Sequence, residues 1–241
     1  MCAAAEVCEP PLSRLAICAL LNRYGIACKG AGLFDRGEQA YRRALSLLET
    51  AIGPEHPEIA GIYHNLGGLE HARGRYGPGE ALARRSVEIR QKALGPDHED
   101  VAADLAALAA LLDGQGRFLE SQPLYSRALA IFEDRLGPEH IETGITLGNL
   151  GAAEFQMGHY AEARDLFQRA LVIKDRHWGQ HHPSVGTTLH NLAVLEQAEG
   201  YCAVAAALFA RALVILEAAL GSNHPNVVAC RAAAASLRNG T

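Results

Sequence analysis

Apolar residues return along this chain at intervals of four, three and three. Ile59, Tyr63, Leu66 and Leu69 form one set, Val101, Leu105, Leu108 and Leu111 a second, and Val185, Leu189, Leu192 and Leu195 a third. That interval follows one face of a 3.6-residue helix, not the alternate positions of a strand. Other segments lie between these and carry a wider apolar stripe. Leu124, Ala128, Leu129, Ile131 and Phe132 make one of them, and Leu166, Phe167, Ala170, Leu171 and Ile173 another. Both kinds of segment predict helices. Alanine and leucine, strong helix formers, dominate the chain, and aromatics make up only 6% of it, so an all-α fold is expected.

Glycines divide the segments on a fixed period. Gly53, Gly95, Gly137, Gly179 and Gly221 stand 42 positions apart, and His56, His98, His140, His182 and His224 follow three residues behind. Gly32, Gly74, Gly116, Gly158 and Gly200 mark a second turn inside each period. Each unit therefore reads as two helices parted by a glycine that is free to take positive φ. Small residues recur where close helix contacts are expected, at Gly25, Gly67, Ala109, Gly151 and Ala193 and again at Ala44, Ser86, Ala128, Ala170 and Ala212. A lone helix pair cannot bury its apolar faces, but stacked pairs can, each touching only its neighbours. The spacing predicts a tail at 1–10 and a single solenoid domain over 11–241. Within it lie a divergent unit at 11–52, full units at 53–94, 95–136, 137–178 and 179–220, and a terminal half unit at 221–241.

Thr188-Leu189-His190-Asn191-Leu192-Ala193, Gly158-His159-Tyr160-Ala161-Glu162-Ala163, Arg169-Ala170-Leu171 and the Gly-Pro-x-His loops carry a family likeness. With the 42-residue spacing, they resemble the tetratricopeptide repeat of the kinesin-light-chain type over about residues 11 to 237. The resemblance implies antiparallel helix pairs stacked into a right-handed superhelix, an α-solenoid whose first helices line a concave groove. It also implies an interaction scaffold holding an extended peptide or a partner protein, with a mid-helix asparagine bonding the peptide backbone. Asn65, Asn149 and Asn191 occupy that position, while Arg23 and Ala107 replace it in two units. Glu70, Glu154 and Glu196 stand where the family usually has tyrosine. A sensor of a signalling peptide is an alternative that the likeness also allows.

Helical spacing places Gly61, His64, Asn65, Gly68, His71 and Ala72 on one stripe, with Asn22, Arg23, Ile26 and Lys29 on the equivalent stripe of the first unit. Asp113, then Asn149, Phe155 and Gln156, then His190, Asn191, Val194 and Gln197 continue it. The chain carries a net charge of −5, yet this stripe has two cations and three histidines against one carboxylate. A neutral to mildly basic groove suits a ligand with acidic side chains. Asn22, Arg23, His64, Asn65, Asn149, His190 and Asn191 are the expected peptide-binding residues.

Other classes of function find little support. The acidic balance argues against nucleic acid as a partner, and no run of apolar residues reads as long enough to span a membrane. Six cysteines at 2, 8, 18, 28, 202 and 230 form no C-x-x-C pair. Cys18 and Cys28 share a predicted helix and lie about 15 Å apart along it, beyond disulfide reach. Reduced cysteines buried as small apolar fillers point to the cytoplasm. Residues 1–10 lack the positive start of a leader. Histidines one repeat apart are too widely separated to share a metal ion, so their expected role is structural, bonding loop or helix-start backbone, and neither metal nor cofactor is expected. No nucleophile elbow, P-loop or dinucleotide fingerprint is present, and Glu70, Glu154 and Glu196 fall one per repeat, so the chain reads as a non-enzyme. The alanine-rich stretch from Asn226 to Leu237 is a cap or a contact with a second copy.

Overall fold

The computed structural model describes residues 11–239, and every element among them is a helix. The eleven are α1 (Pro11–Gly30), α2 (Phe34–Ile52), α3 (Pro57–Ala72), α4 (Tyr76–Leu94), α5 (Glu99–Asp113), α6 (Phe118–Arg135), α7 (Ile141–Gln156), α8 (Tyr160–Trp178), α9 (Pro183–Ala198), α10 (Cys202–Leu220) and α11 (Pro225–Asn239). Their boundaries fall at the two glycine turns of each period. The expectations for Cys2, Cys8 and the tail at 1–10 lie outside the described residues.

The chain forms two compact units, divided between Arg117 and Phe118. In the first, α1 packs on α2, α2 on α3, α3 on α4 and α4 on α5, with α3 also touching α1 and α5. In the second, the same order runs from α6 to α11, with α9 touching both α7 and α11. Within each unit no helix meets one more than two places away. Each is a stack of helix pairs that bury their faces in succession, the α-solenoid arrangement.

Glycine and alanine make these contacts possible. A side chain at Gly25 would run into the Tyr41 ring, its Cβ only 2.5 Å from Cε1. Gly151 meets the Phe167 ring in the same way at 3.0 Å. Ala44, Ala170 and Ala212 are wholly buried at the facing positions. The turn glycines Gly74 and Gly158 sit at φ +73° and +85°, where an L side chain is strained. The 42-residue histidines close the other turn. In each of His56, His98, His140, His182 and His224 the ring Nδ1 accepts the backbone N–H two residues on, at 3.1–3.2 Å. This is the N-cap of every first helix after α1.

Two readings of the chain need correction. Cys202–Leu220 is long and apolar enough, by length and composition, to cross a membrane, although no such run was expected. In the stack its inner face of Ala205, Phe209, Ala212, Ile215 and Leu216 is buried against neighbouring helices. Cys18, Cys28 and Cys230 are free and buried as anticipated, but Cys202 is exposed at the start of α10.

Candidate functional site

The expected binding residues divide between the two stacks and behave differently in each. In the first, the Asn65 side-chain amide donates to Asn22 Oδ1 at 2.8 Å, so these two asparagines satisfy one another across neighbouring repeats. His64 is engaged as well, with Nδ1 2.7 Å from Asp104 Oδ1. Arg23 is exposed at the edge of a cleft of about 530 Å³, whose floor is apolar: Leu15, Cys18, Leu48, Ile52 and Ile62. In the second stack, Asn149 and Asn191 are half-buried, and neither side chain is hydrogen-bonded to another described residue. His190 is half-buried, its ring 5.7 Å from that of Phe209, and its Nδ1 is buried without a partner. Burial holds its imidazole below the usual histidine range.

The glutamates at the usual tyrosine position are partners for turn residues or, at Glu196, for Arg164 of α8. Glu70, 4% exposed, takes two contacts of 2.6 Å from Arg75 and one of 3.1 Å from Arg73. Glu196 accepts from Arg164 Nε at 2.9 Å, and Arg164 also pairs with Glu199. Glu154 lies 2.6 Å from His159 Nδ1. Arg164 keeps Glu199 as a second carboxylate, and Arg73 and Arg75 both also reach Glu38, so Glu70 and Glu196 are each one member of a wider charge cluster. Glu154, His159 and Glu162 together place potential metal-ligand atoms within 4.8 Å of one another, a grouping that the sequence reading did not pick out. His159 Nδ1 is already bonded to Glu154 at 2.6 Å.

The reading by stripes also missed a polar layer beneath the groove. Where a second helix meets the next first helix, Leu48, Arg90, Phe132, Lys174 and Leu216 recur on the 42-residue period, opposite Ile62, Asp104, Thr146, Thr188 and Cys230. Asp104 is wholly buried. It takes Arg90 Nη1 at 3.1 Å, His64 at 2.7 Å and Ser86 Oγ at 2.7 Å, and Ser86 also lies 2.8 Å from the Ala60 carbonyl. Lys174 is 7% exposed, and its ammonium donates to Thr188 Oγ1 at 3.1 Å. Burial pushes its amine down to about 8. The signal was in the sequence. Aligning the repeats shows two cations in an otherwise apolar column.

The tetratricopeptide repeat family model matches residues 16–78, 58–134 and 105–175, and a second model of the same description matches 185–226. Among curated proteins, the chain is 38% identical over 55 residues to Protein KINESIN LIGHT CHAIN-RELATED 3 of Arabidopsis thaliana. That match covers 23% of this chain and only 8% of the relative's length. Among solved structures, BtubC (BKLC) from P. vanneervenii has a TM-score of 0.71 at 25% identity, over 88% of this chain and 85% of that one. A Rap protein complexed with Competence and Sporulation Factor has the same score at 15% identity, over 92% and 65% of the two chains. The chain belongs to the tetratricopeptide repeat family, and its repeats are of the kinesin-light-chain-like type.

Proposed function

We propose that the protein is a non-catalytic interaction scaffold, and that the groove of the second stack holds an extended segment of a partner protein. The observation that carries this reading is the contrast between the asparagines. Asn22 and Asn65 are spent on each other, whereas Asn149 and Asn191, one repeat apart, are half-buried amides with open hydrogen-bonding capacity. Each such amide can donate to and accept from the backbone of an extended ligand. His190 adds an unmet nitrogen to the same stripe. Within the first stack, Arg23 is itself a candidate for reading an acidic side chain, and His64 becomes one only by giving up Asp104. The cytoplasm, where cysteines stay reduced, is the proposed compartment.

The test is to pan phage-displayed dodecapeptides on the full chain and to measure the affinity of enriched peptides for wild type and for Asn149→Ala/Asn191→Ala. We expect affinity to fall by about tenfold or more, which corresponds to ~1.4 kcal/mol, with the melting curve almost unmoved. Equal affinity in the double mutant removes the asparagine groove.

Self-association has one observation in its favour, and it points to α10 more than to the C-terminal helix alone. The exposed side of α10 includes Ala203, Val204, Ala207, Ala210, Val214 and Ala218, with Arg211 as the one charge among its fully exposed positions. On α11, Val227 and Cys230 are buried and Val228 is exposed, while Arg231 reaches Glu217 at 2.6 Å. Light scattering across concentrations decides this reading, since a constant monomer mass excludes it.

A further inference from the structure

Repetition supplies an internal control for the buried cation of the second stack. Arg90 and Lys174 occupy the same place two periods apart. Arg90 is neutralised by the carboxylate of Asp104, which His64 and Ser86 also contact. In the second stack every member of that group except the cation is replaced by something smaller or uncharged. Thr188 stands for Asp104, Gly148 for His64 and Ala170 for Ser86. Among the described residues no carboxylate pairs with Lys174, and the Thr188 hydroxyl is its one hydrogen-bond partner. A Cβ at Gly148 would lie 2.9 Å from the ammonium nitrogen, so Lys174 fills the room that this groove-stripe glycine leaves. Burying an ammonium without a counter-charge is costly, and leucine or phenylalanine fills the same place at Leu216 and Phe132.

We propose that Lys174 anchors a carboxylate-binding subsite in the groove of the second stack, taking an aspartate or glutamate side chain of the bound segment where Asp104 stands in the first. The idea rests on the reading of that groove as a ligand site, and it specifies the ligand's chemistry: an acidic residue seated between α7 and α9. The ligand carboxylate would complete the ion pair that the chain itself leaves open. Glycine at 148 and alanine at 170 bring no carboxylate of their own to the ammonium.

The probe is acetate, the simplest carboxylate, added to the full ¹⁵N-labelled chain and compared with chloride at matched ionic strength. The expected result is a saturable, acetate-specific shift at the Gly148, Lys174 and Thr188 amides. It should be lost in Lys174→Met and in Lys174→Gln, and retained in Lys174→Arg and in Asn149→Ala/Asn191→Ala. No acetate-specific shift in the wild type, or one that persists in both neutral variants, overturns the proposal. The two readings fail separately, because the asparagine double mutant tests backbone capture by selected peptides while acetate reports on the cation alone.

Discussion

A lysine held almost out of water has a measurable cost, and the position of its titration says where that cost is felt. The Lys174 amine is pushed down to about 8, against 10.5 for an unhindered lysine. Below pH 8 both folded and unfolded chains hold the proton, and the folded state carries the whole penalty. Between 8 and 10.5 the folded chain releases its proton first, so stability rises with pH across that window. The gap is on the order of 3 kcal/mol. Lys174→Met is expected to raise the melting temperature at neutral pH by several degrees and to abolish the rise between pH 8 and 10.5, both read from circular-dichroism melts. An unchanged melting temperature would mean that the amine is better solvated than its burial implies. The histidine column shows what was legible at this scale. Its strict period pointed to rings that bond helix-start backbone, and the rings are N-caps. Lys174 was hidden because reading helix faces one at a time treats position 174 as one more member of a buried stripe. Only the facing residue, Thr188, shows that its charge is unmatched.

Helix pairs are joined by more than apolar packing, and here the repeats again act as mutual controls. Glu70 and Arg75 lock the turn between α3 and α4, and Glu154 and His159 take the equivalent places between α7 and α8. The Arg75 charge is permanent in the working range, but that of His159 is not. Its hydrogen bond to Glu154 holds the imidazole above the usual histidine value. The contribution of this pair is therefore complete below the ordinary value of 6.5 and is lost as pH rises through the raised folded value. His159→Arg is expected to melt like wild type at about pH 5 and above it at about pH 8.5, as thermal melts at the two pH values would show. A gain of the same size at both would mean that the pair is not what titrates. Helix starts, stops and partners at this scale were nearly all readable, because glycine and proline punctuate them. The glutamates at the tyrosine position were not, because Arg75 and His159 lie past the helix end, off the helix face that carries the glutamate, and Arg164 lies in the preceding helix, 32 residues from Glu196.

At the scale of the whole molecule, a 42-residue helix pair buries its remaining apolar faces only against the pairs beside it. The period alone carried that expectation, and within each stack the helices touch no farther than the second neighbour. What the period could not supply was the division after Arg117, which falls inside the expected unit at 95–136. The glycine turn there has the same pattern as the others, and nothing in it marks a boundary. The most direct test is residue-by-residue amide exchange in Phe209→Ala. Phe209 is 1% exposed and packs with Leu189 and Ala193 in one cluster, so its truncation removes about 3–5 kcal/mol locally. Faster exchange confined to α8–α11, with α1–α5 as protected as in wild type, is the predicted result. Uniform loss of protection through every helix would show a single cooperative globule and contradict the account.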